Sequence, residues 1–287
     1  MTEPIGELLL QNGQPLLKMW VTSVLPGDRP FVRHAHTRFE IMTVNRGAGQ
    51  YTTEDAVYPM EPGDVFVFSS NEVHCITRAG AEGLSITNLH FEPRYLAGGA
   101  EDPAESFIQF CFSHAPAFRN RIPAGSAGDL RGHLLCIREE LLQGRSSYPT
   151  AVKAHLYLIL IGLLREHGYQ APAGSSGQSS GILAVYDYID RHLCEPLRLE
   201  DIAAAAGLSP NYFSHVFRQL NGISLWDYIS AKRIEKAASL LGDGSRTVLE
   251  IALQCGFNNT VNFNKAFRKH KGMTPTQYRK SRDTLMH

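Results

Sequence analysis

The segment VLEIALQCGFNNTVNFNKAFRKHKGMTPTQYR, residues 248–279, decides the fold of the C-terminal third of this 287-residue chain. It repeats the pattern of residues 199–228, LEDIAAAAGLSPNYFSHVFRQLNGISLWDY, at an offset of 49 to 50 positions. Gly207 and Gly256 occupy matching places, and glycine permits the positive φ at which helices commonly end. Each copy therefore predicts a short helix, a tight turn and a second helix of about a dozen residues, which is the helix-turn-helix pattern.

The second helix of each copy has an apolar face and an opposite, outward face when its residues are placed on a helical wheel. The outward faces carry Asn211, Ser214, His215 and Arg218 in the first copy, and Val261, Asn264, Lys265 and Arg268 in the second. Neither face carries an acidic side chain. Asparagine and arginine bind base edges or phosphates, lysine binds phosphates, and valine contacts thymine methyl groups. These faces therefore predict DNA contacts, with ordinary solvated faces of a helical bundle as the alternative.

Charge is distributed unevenly along the chain, although the formal net charge is zero. Residues 182–287 carry 14 basic and 10 acidic side chains, and the remaining residues carry 14 and 18. The positive C-terminal third favours a polyanionic partner. Between the two copies, residues 224–241 predict one continuous helix that spans about 27 Å and would hold the motifs about one duplex turn apart.

The last hundred residues closely resemble the AraC/XylS family of transcriptional regulators. The resemblance rests on IAAAAGLSPNYFSHVFRQLNG, RIEKAASLL and the opening segment, with its G-F, F-x-x-x-F-(K/R)-(K/R)-x-x-G and P-x-x-Y-R. It implies a domain with two helix-turn-helix motifs that binds double-stranded promoter DNA and contacts RNA polymerase. The family's base-reading positions fall on Asn211, His215, Val261 and Lys265, and His215 stands where a basic residue is common.

Residues 16–91 read as a series of short strands. The strand-like runs are KMWVTSV, FEIMTVN, GQYTTED, DVFVFSS and LSITNLHF. The turn signals between them are LPGDRP, RGAG, EPGD and AEG. Evenly spaced short strands with Gly/Pro turns predict an all-β barrel or sandwich.

Residues 128–167 predict two helices in a hairpin. Leucine and isoleucine recur at helical spacing in GDLRGHLLCIREELLQG, and TAVKAHLYLILIGLLREHG is more apolar, with Gly144 and Gly168 as stops. The apolar excess on the second helix predicts a partner, and we expect the hairpin to pair two subunits. APAGSSGQSSG, residues 171–181, has the composition of a flexible linker.

These observations predict a multidomain α+β protein. The predicted order is an effector-binding β-barrel domain (1–103), a helical dimerisation region (104–170), a linker (171–181) and an all-α DNA-binding domain (182–287).

The stretch RHAHTRFE, residues 33–40, reads as a candidate metal site. Two histidines two positions apart on a strand point to one face, because strand side chains alternate. Together with EPGDVFVFSSNEVH, which ends at His74, the stretch resembles the cupin pattern. In metal-binding cupins four such side chains converge on one divalent ion, and the corresponding residues here are His34, His36, Glu40 and His74. Three imidazoles and a carboxylate suit iron, manganese, nickel or zinc.

A metal-free effector pocket is the main alternative for these residues. The resemblance implies that this domain binds a small molecule, and the same imidazoles and carboxylate would then hydrogen-bond a polar effector such as a sugar. Some of these residues could also simply cap strands. We expect Trp20 and Tyr51 to line the pocket and stack on the effector, joined by Phe31, Phe39 and His90.

The cysteines and the termini exclude several classes of protein. Five cysteines are scattered with no C-x-x-C pair, which argues against a disulfide framework and a structural zinc site. The N-terminus lacks the features of a signal peptide, and the longest apolar run, residues 156–164, is too short to span a membrane. We expect a cytoplasmic protein with no membrane partner.

The sequence as a whole predicts a ligand-responsive transcriptional regulator, with activation favoured by the resemblance. It would control metabolic genes, among which carbohydrate genes are an option. No catalytic residue is predicted. The alternatives are a cupin metalloenzyme, of isomerase or dioxygenase type, fused to a DNA-binding domain, and a DNA-binding protein that senses no ligand.

Overall fold

A computed structural model describes residues 2–9, 15–26, 33–70, 72–96, 118–169, 181–221, 223–243 and 246–283. The chain divides into two compact units. The sheet unit comprises Met1–Phe31 and Arg38–Ser176, and the helical unit comprises Gly177–His287 together with the short segment Val32–Thr37. The residues predicted as a linker lie almost entirely outside the described part of the chain, and the predicted domain bounds stay predictions.

The sheet unit contains seven strands among its described residues, all in one antiparallel sheet of order β1-β2-β6-β3-β5-β7, with β4 paired to β3. The strands are β1 (Thr2–Leu9), β2 (Pro15–Val24), β3 (Phe39–Thr53), β4 (Val57–Met60), β5 (Val65–Phe68), β6 (His74–Phe91) and β7 (Arg121–Ile122). This sheet confirms the predicted cupin-like domain. The N-terminal strand β1 was not predicted.

Two predicted turns lie inside long strands. Residues 46–49 and 81–83 belong to β3 and β6, where the register between the strands is irregular. Gly47 and Gly83 have φ values of 81° and 75°, and a Cβ on Gly47 would lie 2.1 Å from the carbonyl oxygen of Gly83. Glycine therefore permits a close crossing of two bent strands here, where the sequence suggested chain reversals.

The two faces of the sheet have separate roles. Side chains that alternate along β2, β3, β5 and β6 form an outer apolar cluster, in which Phe39, Ile41 and Phe91 are fully buried. The opposite, inner face forms a second cluster around Phe66 and Phe68. Because side chains alternate along a strand, a shift of one residue would exchange these faces.

The helical hairpin covers the outer face of the sheet. Helix α1 is Gly128–Gln143 and ends at Gly144, whose φ is 57°, and helix α2 is Tyr148–Glu166. Their buried side chains share one cluster with the sheet: Leu130, Leu134, Ile137, Val152, Leu156, Ile159, Leu160 and Leu163. These apolar faces therefore pack on the sheet of the same chain, and pairing of two subunits through the hairpin stays a prediction.

Two histidines meet across the hairpin. Nδ1 of His133 lies 3.1 Å from Nδ1 of His155, so one nitrogen donates and the other accepts. Burial, followed by the neighbouring His133, lowers the pKa of His155 below its ordinary value. Protonation of both rings would place two donors against each other, so the contact favours neutral imidazoles.

The helical unit contains seven helices among its described residues. They are α3 (Ile182–Arg191), α4 (Leu199–Ala205), α5 (Pro210–Asn221), α6 (Leu225–Leu240), α7 (Val248–Gln254), α8 (Thr260–Lys271) and α9 (Pro275–Asp283). A 3-10 turn, Leu241–Asp243, follows α6. The pairs α4–α5 and α7–α8 are the two predicted helix-turn-helix motifs, and α6 joins them as predicted.

The two motifs share one turn geometry. Gly207 and Gly256 have φ values of 67° and 86°. The next residue donates its N–H to an equivalent carbonyl in each copy, from Leu208 to Ala203 and from Phe257 to Ala252. This bond closes a helix end that has a left-handed residue, which accounts for the glycine in both copies.

Arg233 on α6 connects two loops of this unit. Its Nε donates to the carbonyl oxygen of Leu193, Nη2 to that of Glu195 and Nη1 to that of Gly256, each at 2.8 Å. The guanidinium thereby fixes the loop after α3 against the turn of the second motif. Among the described residues, no helix has the length and apolarity needed to cross a membrane.

Candidate functional site

A buried carboxylate and two imidazoles meet on the inner face of the sheet. Glu40 and His90 are opposed residues of β3 and β6, and both side chains point inward. Oε2 of Glu40 lies 3.0 Å from Nε2 of His90 and 3.1 Å from Nε2 of His74. All three residues are buried. The sheet register thus assembles a polar cluster inside an otherwise apolar face.

The hydrogen bond of His74 restricts its tautomer. Its Nδ1 lies 2.8 Å from the carbonyl oxygen of Glu72, which can only accept, so Nδ1 carries a proton. In the neutral ring Nε2 then presents a lone pair to the Glu40 carboxylate. Two acceptors at 3.1 Å need a proton or a cation between them. A histidine whose outer N–H donates to a carbonyl is also typical of metal ligands, and the carboxylate of Glu40 and the imidazole of His90 are ligand types that suit a divalent transition metal.

Tyr51 closes the aromatic side of this cluster. Its ring stacks on Phe68 with a centroid separation of 4.9 Å and lies 5.9 Å from the ring of His74. Burial, followed by the charge of Glu40, raises the pKa of Tyr51 well above its ordinary value. The phenol therefore stays protonated, and its ring belongs to the hydrophobic cluster on the inner face of the sheet.

Trp20 and its neighbours supply hydrogen-bonding groups to the same face. The ring of Trp20 meets His90 edge-on at 4.5 Å, and its Nε1 donates to Oγ1 of Thr22 at 3.1 Å. The Asn88 amide donates to the same hydroxyl at 3.2 Å. An indole, an amide and a hydroxyl beside a carboxylate form a wall suited to a polar, hydroxylated molecule.

His34 and His36 lie on Val32–Thr37, the segment that belongs to the helical unit. Their ring centroids are 5.9 Å apart. Within this unit the backbone N–H and the hydroxyl of Thr37 donate to the carboxylate of Glu235 on α6, at 3.0 and 3.1 Å. The predicted set of four metal ligands stays a prediction.

Two predicted pocket residues need separate comment. Phe39 does not line the inner face, because it is one position from Glu40 and points to the outer cluster, where it contacts Phe91 and Tyr169. Phe31 lies outside the described residues. His90 was predicted only as a lining residue, and the alternation along β6 could have assigned it beside Glu40.

The outward face of α5 carries the DNA-contact residues predicted for the first motif. Asn211, His215 and Arg218 are exposed and Ser214 is half-buried, whereas Phe213 and Phe217 on the opposite side are fully buried. The wheel therefore separated the two faces correctly. What the exposed side chains bind stays a prediction.

The outward face of α8 is more basic. Val261 is 74% exposed, and Asn264, Lys265 and Arg268 are exposed with it. Lys265 and Arg268 have no ion-pair partner among the described residues. They line an open depression of about 710 Å³ together with the first turn of α9. Unpaired cations beside a helix N-terminus suit a phosphate.

Lys269, beside this face, is already engaged. Its Nζ lies 2.5 Å from Oδ1 of Asp227 on α6, and this contact lowers the pKa of Asp227. Lys269 is not among the predicted DNA contacts, and its charge is already paired with that of Asp227.

Comparison with known proteins gives two family matches. An AraC-like ligand binding domain matches residues 27–160, and a helix-turn-helix domain matches residues 202–281. The two matches cover the sheet and hairpin and both motifs.

Relatives and solved structures agree with this arrangement. The HTH-type transcriptional activator RhaS of Escherichia fergusonii is 25% identical over 260 residues, 89% of this chain and 90% of that protein. The Right origin-binding protein of Escherichia coli K12 is 37% identical over 94 residues, which cover 33% and 32% of the two chains. The structure of ToxT from Vibrio cholerae aligns with a TM-score of 0.59 at 11% identity, over 92% and 97% of the chains, and shows the shared fold.

Proposed function

The chain belongs to the AraC family of ligand-responsive transcriptional regulators, and on that premise we propose a division of labour between its two units. The outward faces of α5 and α8 contact promoter DNA, and the inner face of the sheet binds a small polar effector. The observation that carries the proposal is the contrast between exposed, unpaired cations in the helical unit and a buried polar cluster in the sheet unit.

The DNA contacts are supported by the matched geometry of the two motifs. The proposed recognition helices are α5 and α8. Each holds two fully buried phenylalanines on one side and presents amide or cationic groups on the other. Asn211 and Lys265 stand on the first and second recognition helices. Asparagine can read an adenine edge, and lysine can bind a phosphate or guanine.

Two substitutions test these contacts. We expect Asn211→Ala and Lys265→Ala each to weaken binding to a DNA site selected from a random pool, measured by fluorescence anisotropy, while thermal stability stays unchanged. Arg191→Ala, an exposed cation on α3, is the matched control and should bind like the wild type. Equal affinities for all four proteins would contradict the assignment.

The effector site is supported by the polar wall beside Glu40. A buried carboxylate needs donors, and a neutral polyol such as a sugar supplies them while its apolar face packs on Trp20. We therefore propose a hydroxylated, uncharged metabolite, with sugars as the first class to test. Glu40 would accept hydrogen bonds from its hydroxyl groups.

A sugar panel tests the effector class. We expect one pentose or hexose to raise the melting temperature of the full-length protein and to change its DNA affinity. Glu40→Gln, which keeps the shape and removes the charge, should abolish the shift, and Glu54→Gln, at an exposed position just after β3, should not. A sugar response that survives Glu40→Gln would exclude this site.

We also propose that the protein forms a homodimer through α1. The outer side of α1 keeps Leu135 and Leu142 exposed at 59% and 53%, seven positions apart. Leucines at that spacing form one stripe that a second copy can cover. We expect Leu135→Glu to shift the sedimentation coefficient to that of a monomer, and Leu158→Glu on α2 to leave a dimer. A Leu135→Glu variant that remains dimeric would contradict this interface.

Contact with RNA polymerase completes the proposal for an activator. The relative named above is called a transcriptional activator, which supports this direction of control. Run-off transcription from a bound promoter should rise when effector and protein are added together. A fall in transcript at the same occupancy would assign repression.

A metal in the sheet unit is the second candidate, favoured by the tautomer of His74. Glu40 and His90 would supply ligands to a divalent ion, which would polarise a bound oxygen atom. Plasma mass spectrometry of untagged protein should then find about one equivalent, lost in His90→Ala. Turnover of a substrate with that metal would support the alternative of a cupin enzyme, of isomerase or dioxygenase type. We assign no catalytic residue and propose a regulator without enzymatic activity.

A further inference from the structure

A second cavity lies on the outer face of the sheet, beneath one edge of α1. Its volume is about 310 Å³, near the lower end of the range for small-molecule sites. It is lined by the sheet residues Met19, Val21, Thr43 and Thr87 and, from α1, by Arg131 and Arg138. Glu40 and the polar cluster described above point to the opposite face of the same sheet, so the two sites share no side chain.

The floor of the cavity begins where the outer face stops being apolar. Met19, Leu89 and Ile41 are opposed on β2, β6 and β3 and belong to the core under the hairpin. Two residues further along, the opposed residues are Val21, Thr87 and Thr43. The hydroxyl of Thr87 donates to the Asn45 amide oxygen at 3.1 Å. The sheet therefore presents hydroxyl groups where α1 no longer packs on it.

The roof of the cavity carries two cations. Arg131 and Arg138 are seven residues apart on α1, which is about 10 Å along a helix. Neither guanidinium has an ion pair or a hydrogen bond to another described residue. Arg121 on β7, by contrast, binds both Asp64 and Glu61. Two unpaired arginines over one small cavity create a local positive potential without a protein counter-charge.

We propose that this cavity binds a small organic carboxylate with an apolar body, separately from the effector of the inner face. A guanidinium presents a planar fork of donors that matches a carboxylate. Leu134 and Leu135 beside the arginines, with Met19 and Val21 below, offer an apolar surface to the body of the acid. Thr43 supplies one hydroxyl at the floor.

The proposal accounts for both kinds of lining residue. A bare inorganic anion would use the arginines and leave the apolar side chains facing water. A hydrocarbon would use the apolar side chains and leave the guanidiniums without a counter-charge. An acid occupies both, and it joins α1 to the sheet at the helix that we propose pairs two subunits.

Fluorine NMR with 4-fluorobenzoate tests the site in the full-length protein. We expect broadening of the fluorine signal that titrates with protein. The dissociation constant should rise about tenfold in Arg131→Gln or Arg138→Gln, because a hydrogen bond between charged groups is lost. Arg165→Gln, an exposed arginine on α2, is the matched control and should bind as the wild type does.

Two further probes separate the proposal from its rivals. 4-Fluorobenzyl alcohol has the same body without the charge, and sodium sulfate is an anion without a body, so neither should compete with the acid at equal concentration. Equal binding of the alcohol, full competition by sulfate at constant ionic strength, or unchanged affinity in both arginine variants would overturn the proposal. Loss of binding in Glu40→Gln alone would do the same, because it would assign the acid to the inner face.

Discussion

Glu40 and Arg268 show how differently the two units use charge. Glu40 is 3% exposed and touches two imidazoles on the inner face of the sheet, whereas Arg268 is exposed on α8 with no partner among the described residues. A buried charge has lost its hydration and depends on its neighbours. An exposed cation keeps its hydration until a partner arrives. We therefore expect stability and recognition to be coupled in the sheet unit and independent in the helical unit.

The largest effect should come from removing the buried charge. We expect Glu40→Ala to lower the free energy of unfolding of the sheet unit by about 3 kcal/mol, because buried polar groups of His74 and His90 lose the carboxylate beside them. Chemical denaturation followed by Trp20 fluorescence, with Trp226→Phe in both proteins, measures this loss. Glu54→Ala, at an exposed position on the loop after β3, should change stability by less than about 0.5 kcal/mol. Similar losses of stability for both variants would show that the burial of Glu40 does not determine its contribution to stability.

The opposite pattern is expected for Arg268. We expect Arg268→Ala to weaken DNA binding by about 1 kcal/mol and to reduce the slope of log affinity against log salt by about 0.9, as for one lost phosphate contact. Its unfolding free energy should stay within about 0.5 kcal/mol of the wild type. A titration at four salt concentrations measures the slope. An unchanged slope would show that Arg268 faces no phosphate.

A smaller effect distinguishes the two motifs from each other. Helix α7 begins with a capping box, in which the Thr247 hydroxyl accepts from the Glu250 N–H and the Glu250 carboxylate accepts from the Thr247 N–H. The N-cap residue of helix α4 is Arg198, whose side chain makes no capping hydrogen bond. We expect Thr247→Ala to cost about 1 kcal/mol, measured by thermal unfolding. Arg198→Ser should raise stability, and a loss there would indicate that Arg198 has another structural role.

Acid should affect both units, through one histidine in each. Burial lowers the pKa of His155 in the hairpin and of His270 on α8. Because the folded state prefers the neutral ring, this stability is present above the ordinary histidine pKa of about 6.5 and is lost as the pH falls below it. His155→Gln and His270→Gln should each flatten the decline between pH 7 and 5 in denaturation curves. A steeper decline of stability in either variant would show that protonation of that histidine stabilises the folded state.

The sequence predicted the helical unit more completely than the sheet unit, for a physical reason. A helix-turn-helix motif is local: the turn glycine at 207 or 256 and the spacing of phenylalanines suffice to assign both faces. The sheet depends on pairing between distant segments. Glycines at 47 and 83 signal turns locally but serve a strand crossing, and the neighbour of Glu40 is His90, fifty residues away. The same limit applies to the hairpin, whose packing on the sheet joins distant segments of the chain.

Arg233 has a consequence for how this protein can vary over evolutionary time. Its three hydrogen bonds end on main-chain carbonyl oxygens, at Leu193, Glu195 and Gly256, and none on a side chain. Every amino acid provides that acceptor. Mutations in the loop after α3 can therefore accumulate without disturbing the anchor, so long as the path of the chain is kept. The constraint falls on one arginine and on the turn glycine, and the exposed faces of α5 and α8 can change while this anchor stays fixed.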